Sequence, residues 1–203
     1  MELSDAEILR RGLDAFAELG YQGASVRELA KRLGVSHNFI NDRFGSKENF
    51  WRAVVDYEMQ GLQKPLEDAF AVDADDAEKF GIVIKAFYTI AARSPQMHRI
   101  ISEESVLESN RLDYLHSKYT NAFLEKLEPI SRRLMESGRM PRLSMDIMFT
   151  AISGPAIVLT RGPLARRLGR APLLPAAEWE QLTTSLAEVV LRGLLPAVLP
   201  SDS

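Results

Sequence analysis

Residues 25–44 read SVRELAKRLGVSHNFINDRF, and their spacing decides how the rest of the chain is organised. Ser25 and Glu28 stand as in a capping box, where the serine hydroxyl accepts from the N3 amide and the glutamate reaches back to the cap. Val26, Leu29, Ala30 and Leu33 then recur at helical intervals and form one apolar stripe. Gly34 ends the stripe, where a tight turn calls for a positive φ that a side chain penalises. Val35 plugs the corner, Ser36 caps a second helix, and Ile40 and Phe44 form its inward side. Ala30 is small because two helices crossing steeply a few residues apart leave little room at their nearest approach. The pattern predicts a helix-turn-helix, with His37, Asn38, Asn41 and Arg43 on the exposed face of its second helix.

Helical periodicity continues on both sides of this stretch. Ser4-Asp5-Ala6-Glu7 is a second capping box, Ser46 and Ser144 stand as N-caps, and Ser94 precedes a proline suited to the first helical position. Gly20, Gly34, Gly45 and Gly138 each follow a helical run and mark its end. These signals predict helices near 4–19, 25–33, 36–43, 46–71, 77–92, 95–108, 111–137, 142–167 and 176–198, with an acidic break at 73–78. No Val/Ile/Thr-rich alternating run competes, so the expected fold is all-α. Short helices in residues 1–46 lead into long apolar ones in 47–203, which predicts an N-terminal three-helix module and a larger C-terminal bundle.

Composition narrows the chemistry. Of 203 residues, 46% are hydrophobic and 26% charged, which describes a folded chain rather than a disordered one. Cysteine is absent, which excludes thiolate nucleophiles, Cys-based zinc sites and iron–sulfur clusters and suits a reducing compartment. Acids among the first five residues argue against a signal peptide, and the weakly polar stretch 147–160 falls short of the roughly 20 residues that span a bilayer. The expectation is a cytoplasmic protein with no membrane span. A net charge of −3 excludes a globally basic nucleic-acid binder. Residues 21–50 nevertheless carry Arg27, Lys31, Arg32, Arg43 and Lys47 against Glu28, Asp42 and Glu48, a local surplus of two positive charges. His98 and His116, with Glu103 and Glu104, lack metal-ligand spacing, and no catalytic constellation is indicated, so neither an enzyme nor a bound metal or cofactor is expected.

The segment GASVRELAKRLGVSHNFINDRFGSKENFWRAVVDYE resembles the DNA-binding domain of the TetR family of one-component transcriptional regulators. It shares the Gly-Val-Ser turn, the aromatic near the end of the second helix and the Lys-Glu pair before a long linking helix. Asn41 stands where members commonly carry tyrosine, and Arg43 where they often carry histidine or tyrosine. The resemblance implies that residues 1–46 bind a pseudo-palindromic double-stranded operator. It also implies that Arg27 reaches a base edge, that Ser25 and Lys47 hold phosphates, and that Phe39 lies against a thymine methyl. On the residues alone, Phe39 has a rival role packing on the first helix. Ser36, His37, Asn38, Asn41 and Arg43 complete the candidate DNA-contacting set.

Residues 47–203 are richer in aromatics and methionines than a DNA-binding accessory needs. Phe87, Met97, His98, Ile101, Tyr119, Phe123, Met148 and Ile152 are candidates to line a pocket between helices, although stripes at this spacing also build ordinary core. The resemblance implies a small-molecule inducer here, apolar or aromatic by the composition of these residues. Leu159, Leu182, Leu186, Val189 and Val190 form an apolar strip on the last two long helices, where the family assembles two-fold dimers. The reading is therefore a homodimeric repressor released from its operator by a ligand. A transcriptional activator and a helical interaction module with a vestigial head fit the same residues.

Overall fold

The computed structural model describes residues 3–196, which form α-helices, one π-helical stretch and no strand. In chain order these are α1 (Asp5–Gly23), α2 (Val26–Leu33), α3 (Phe39–Phe44), α4 (Lys47–Ala71), α5 (Asp76–Arg93), α6 (Pro95–Glu104), α7 (Asn110–Leu115), the π stretch His116–Thr120, α8 (Asn121–Glu136), α9 (Met145–Leu159), α10 (Gly162–Arg167) and α11 (Ala176–Leu194). The all-α expectation holds. Ser4, Ser25 and Ser46 each accept from the amide three residues on, as their capping positions require.

Several boundaries fall elsewhere than the periodicity suggested. Residues 37 and 38 form a turn, so α3 begins at Phe39, and Ser36 offers its carbonyl to the Phe39 amide at 3.1 Å rather than a side-chain cap. Ser144 likewise makes no side-chain cap bond. The expected helix over 142–167 breaks at Thr160, because Pro163 has no N–H to offer the Leu159 carbonyl. Arg170 Nη1 donates to that carbonyl instead, at 2.5 Å. The expected helix over 111–137 is interrupted by the π stretch, none of whose side chains is buried. Residues 197 and 198, the end of the expected last helix, lie outside the described residues.

The described residues divide into two compact units, one of residues 3–64 with 96–107 and one of residues 65–95 with 108–196. The division thus departs from a boundary at residue 46. In the first unit α4 is part of the core: Phe50, Trp51, Val54 and Val55 are buried with Phe16 of α1 and with Leu29, Leu33 and Ile40 of the helix-turn-helix. This unit also takes in α6, whose Arg99 donates to the Glu18 carbonyl (3.3 Å) and whose Gln96 donates to Asp14 (3.2 Å). In the second unit α5 packs on α8, α9 and α11 around Phe80, Val83, Ile84, Tyr88, Leu127, Met148, Ile152 and Ala156. The Tyr88 hydroxyl donates to the Ile152 carbonyl at 3.0 Å, which satisfies a phenol that burial drives to a raised pKa.

The contact between α1 and α4 depends on Gly12, where a Cβ would stand 2.7 Å from both Phe50 Cζ and Val54 Cγ2. Gly12→Ala gains helix propensity but forces these two buried side chains apart. We expect a net loss of about 1–3 kcal/mol in chemical unfolding; a variant as stable as the parent would show that α1 and α4 can separate without cost.

Candidate nucleic-acid interface

Between α2 and α3 the chain turns as the sequence requires. Gly34 adopts φ +71° and ψ +34°, its amide donates to the Lys31 carbonyl (3.2 Å), and the Val35 amide donates to Ala30 (3.0 Å), a Schellman closure. Ala30 is buried at the crossing. The result is a short helix held by one edge.

Three faces of α3 follow from its register. Ile40 and Phe44, four residues apart, point inward, with Ile40 fully buried and the Phe44 ring tilted against that of Phe50, centres 4.8 Å apart. Asn38, Asn41 and Asp42 stand three and four residues apart on the outward side, all exposed. Phe39 and Arg43 share the flank beside the start of α1. Asn38 makes no cap bond to the helix, so its carboxamide can pair with adenine N6 and N7; His37 Nδ1 lies 3.3 Å from its Oδ1. Asp42, absent from the expected contacts, is a carboxylate able to accept from cytosine N4. The signal for it was the spacing to Asn38.

Arg43 is therefore not on the outward face. Phe39 is half-buried, with its ring 6.4 Å from that of Phe44. It lines a groove with Leu3 and Ile8, which is the packing role rather than a fully presented ring. Ser25 accepts from the Glu28 amide at 3.1 Å, leaving its hydroxyl hydrogen as a donor, while Ser36 and His37 are exposed in the turn.

The local positive charge is largely committed within the unit. Arg32 forks onto Glu18 (2.5 and 3.1 Å) and reaches Glu28 (3.2 Å), which holds the Glu18 carboxyl below its ordinary pKa. Arg43 Nη2 contacts both Asp5 oxygens (2.6 and 2.5 Å). Lys47, half-buried, donates to the Tyr21 carbonyl at 3.0 Å and lies 4.0 Å from the centre of that ring. Asp5 and Glu18, outside the stretch from which the surplus was counted, cancel it. Arg27 and Lys31 remain exposed, without an ion pair among the described residues.

The pocket candidates fall in both units. Met97 (buried), His98 and Ile101 (partly buried) belong to α6 in the first. Phe87 and Phe123 meet in the second, ring centres 5.4 Å apart, with Phe70 6.0 Å from Phe123. Met148 and Ile152 are fully buried in that unit's core, so they act as packing. Tyr119 pairs with Tyr114 (6.4 Å). Of the strip on the last helices, Leu159 is buried within its own chain and Val190 packs on the core. Leu182 and Leu186 line an open groove of about 1160 Å³ with Pro155, Val158 and Leu174, and Val189 is 68% exposed.

Residues 8–54 match the profile described as bacterial regulatory proteins, tetR family. That stretch, from within α1 into the first turns of α4, is thus similar to the N-terminal domain of that family. A stretch covering 48% of the chain and 44% of the relative is 26% identical to the HTH-type transcriptional activator FasR of Mycolicibacterium smegmatis. The aligned stretches span less than two thirds of the lengths of the curated relatives matched. Among solved structures, the transcriptional regulator FadR from Bacillus subtilis in complex with stearoyl-CoA superposes with a TM-score of 0.65 at 20% identity, covering 94% of this chain and 100% of that one. AibR in complex with isovaleryl coenzyme A and operator DNA gives 0.71 at 15% identity, covering 93% and 96%. Both show the same fold.

Burial holds the His98 imidazole neutral, with its pKa lowered to about 4. The unfolded chain takes up that proton near pH 6.5, so stability is fully present above this value and falls as the pH drops from about 6.5 to about 4. His98→Gln cannot titrate, and we expect its unfolding free energy to decline less over that interval, by up to roughly 3 kcal/mol. Parallel pH profiles for parent and variant would show that His98 is solvated.

Proposed function

We propose that this protein is a two-fold dimeric, ligand-responsive transcriptional regulator whose α3 enters the major groove. The observation that carries the reading is the outward face of α3, where Asn38, Asn41 and Asp42 stand exposed on a helix whose opposite side is anchored by Ile40 and Phe44. Polar groups so held are suited to base edges, while Arg27 and Lys31 on α2 and Ser25 at its N-cap are suited to phosphate. Arg27 remains the candidate for an additional base contact. Two heads on successive major-groove faces need a two-fold dimer, with half-sites about 34 Å apart. The groove along α9 and α11 with exposed Val158 and Val189 supports an interface there.

A ligand is the second part of the proposal. Two structures of this fold hold coenzyme A thioesters, one of them together with operator DNA, and the aromatic group Phe70, Phe87 and Phe123 suits an apolar chain. An acyl thioester is therefore the first class to examine. Linkage requires that such a ligand and DNA weaken one another equally if the response is release. Repression is the reading for a site that overlaps a promoter; the similarity to an activator supports the other sign for a site upstream of one.

Footprinting on the DNA upstream of the protein's own coding sequence, with and without coenzyme A thioesters, tests both parts. We expect a protected pseudo-palindrome that acyl-CoA weakens; no protection at low salt would leave the helical interaction module as the reading. On the protected site, Asn38→Ala should cost about 1–3 kcal/mol and flatten discrimination at one base pair, whereas Lys31→Ala should weaken all sequences alike. Equal, sequence-independent losses would remove the readout role from Asn38. Replacing Leu182 and Val189 together by glutamate should give helical monomers in sedimentation that bind the site weakly, and an intact dimer would place the interface elsewhere.

A further inference from the structure

The ion pair between Asp5 and Arg43 joins the start of α1 to the flank of α3 across 38 residues of sequence. Arg43 and Phe39 line a groove of about 540 Å³ there with Leu3, Asp5, Ile8 and Val35. The side chains are 48% exposed for Arg43 and 67% for Asp5. A pair so open to water contributes little to folding.

Its position gives it another consequence. The outward face of α3 addresses base edges, so a cation on the flank meets the sugar–phosphate backbone beside the groove. A free guanidinium arriving there releases a counterion from the DNA and gains sequence-independent affinity. In this chain Arg43 arrives already neutralised, and the carboxylate that neutralises it must be displaced or brought against phosphate.

We propose that Asp5 competes with DNA phosphate for Arg43 and thereby lowers the sequence-independent share of binding, so that discrimination falls to Asn38, Asn41 and Asp42. Asp5 is in this sense a specificity-determining residue that touches no base. The inference rests on the reading of the chain as a DNA-binding regulator. Asp5 also carries an ordinary benefit as an acid in the first turn of α1, where it meets the positive end of the helix. That benefit is independent of Arg43, which allows the two to be separated.

The test measures binding of the full chain to poly(dI–dC) between about 50 and 200 mM salt, for the parent, Asp5→Asn, Arg43→Gln and the double variant. We expect Asp5→Asn to tighten binding about tenfold at about 50 mM and to steepen the slope of log K against log salt by about 0.9 per head. Arg43→Gln should change little in the parent and should abolish the gain in Asp5→Asn. Thermal unfolding of each variant, with Asp5→Ser as a second replacement compatible with a helix start, controls for the α1 terminus. Unchanged affinity and slope in Asp5→Asn would overturn the proposal, as would a gain that survives Arg43→Gln, which would be general repulsion. Weaker binding of folded Asp5→Asn would also overturn it, since Asp5 would then be positioning Arg43 for DNA. If the parent alone fails to bind the polymer and Asp5→Asn binds it through Arg43, the proposal stands; if neither binds at low salt and footprinting shows no protected site, the regulator reading itself fails, and this proposal fails with it.

Discussion

The N-terminal unit depends on a helix crossing made at a residue without a side chain. At Gly12, α1 comes close enough to α4 for Phe50 and Val54 to occupy the space a Cβ would take. From Phe50 a run of ring contacts continues outward, to Phe16 on one side (5.7 Å) and through Phe44 (4.8 Å) to Phe39 (6.4 Å) on the other. The pose of α3 is thus set by packing that begins on the far side of the motif. A six-residue helix has too few internal hydrogen bonds to hold itself, and these rings take over that task.

The same helix that supplies the packing also supplies the counter-charges. Glu18 takes Arg32, Asp5 takes Arg43, and the Tyr21 carbonyl takes Lys47. Most of these links are exposed or half-exposed and contribute modestly to stability. Their larger effect is electrostatic: they remove cations from the pool that a polyanion could engage indiscriminately, and leave Arg27 and Lys31 of α2 uncommitted by acids among the described residues. An acidic chain can in this way carry a DNA-facing surface with little non-specific attraction.

What the sequence made legible was local. The turn at Gly34, the small Ala30, the caps at Ser4, Ser25 and Ser46 and the inward pair Ile40 and Phe44 all follow from spacing over a few residues. What it hid was carried by contacts between distant residues or by breaks in register. Arg43 looked outward because nothing within its own helix opposed that, and Asp5 lies 38 positions earlier. Lys47 resembles a phosphate ligand by motif, and its bond to the Tyr21 carbonyl is a contact that no side-chain pattern announces. Residues 96–107 read as part of the long bundle and belong instead with the head, tied by Gln96 and Arg99 to α1. Among the pocket candidates, apolar spacing did not separate Phe123, Met148 and Ile152, which fill core, from Phe87, which is only partly buried against it.

The π stretch between α7 and α8 bears on how this chain is to be aligned with others. Its hydrogen bonds run from i to i+5 rather than i to i+4, so the backbone accommodates more residues between Leu115 and Phe123 than a straight α-helix needs. Leu115 and Phe123 are buried, while Tyr119, which an unbroken helix would place between them on one stripe, is only partly so and sits beside Lys118 and Tyr114. Each residue of α-helix turns the chain by about 100°. A homologue one residue shorter here would present the same buried faces on both sides of the gap, and a residue-for-residue alignment drawn without the gap would turn every assigned position of α8 by about 100° from its true face.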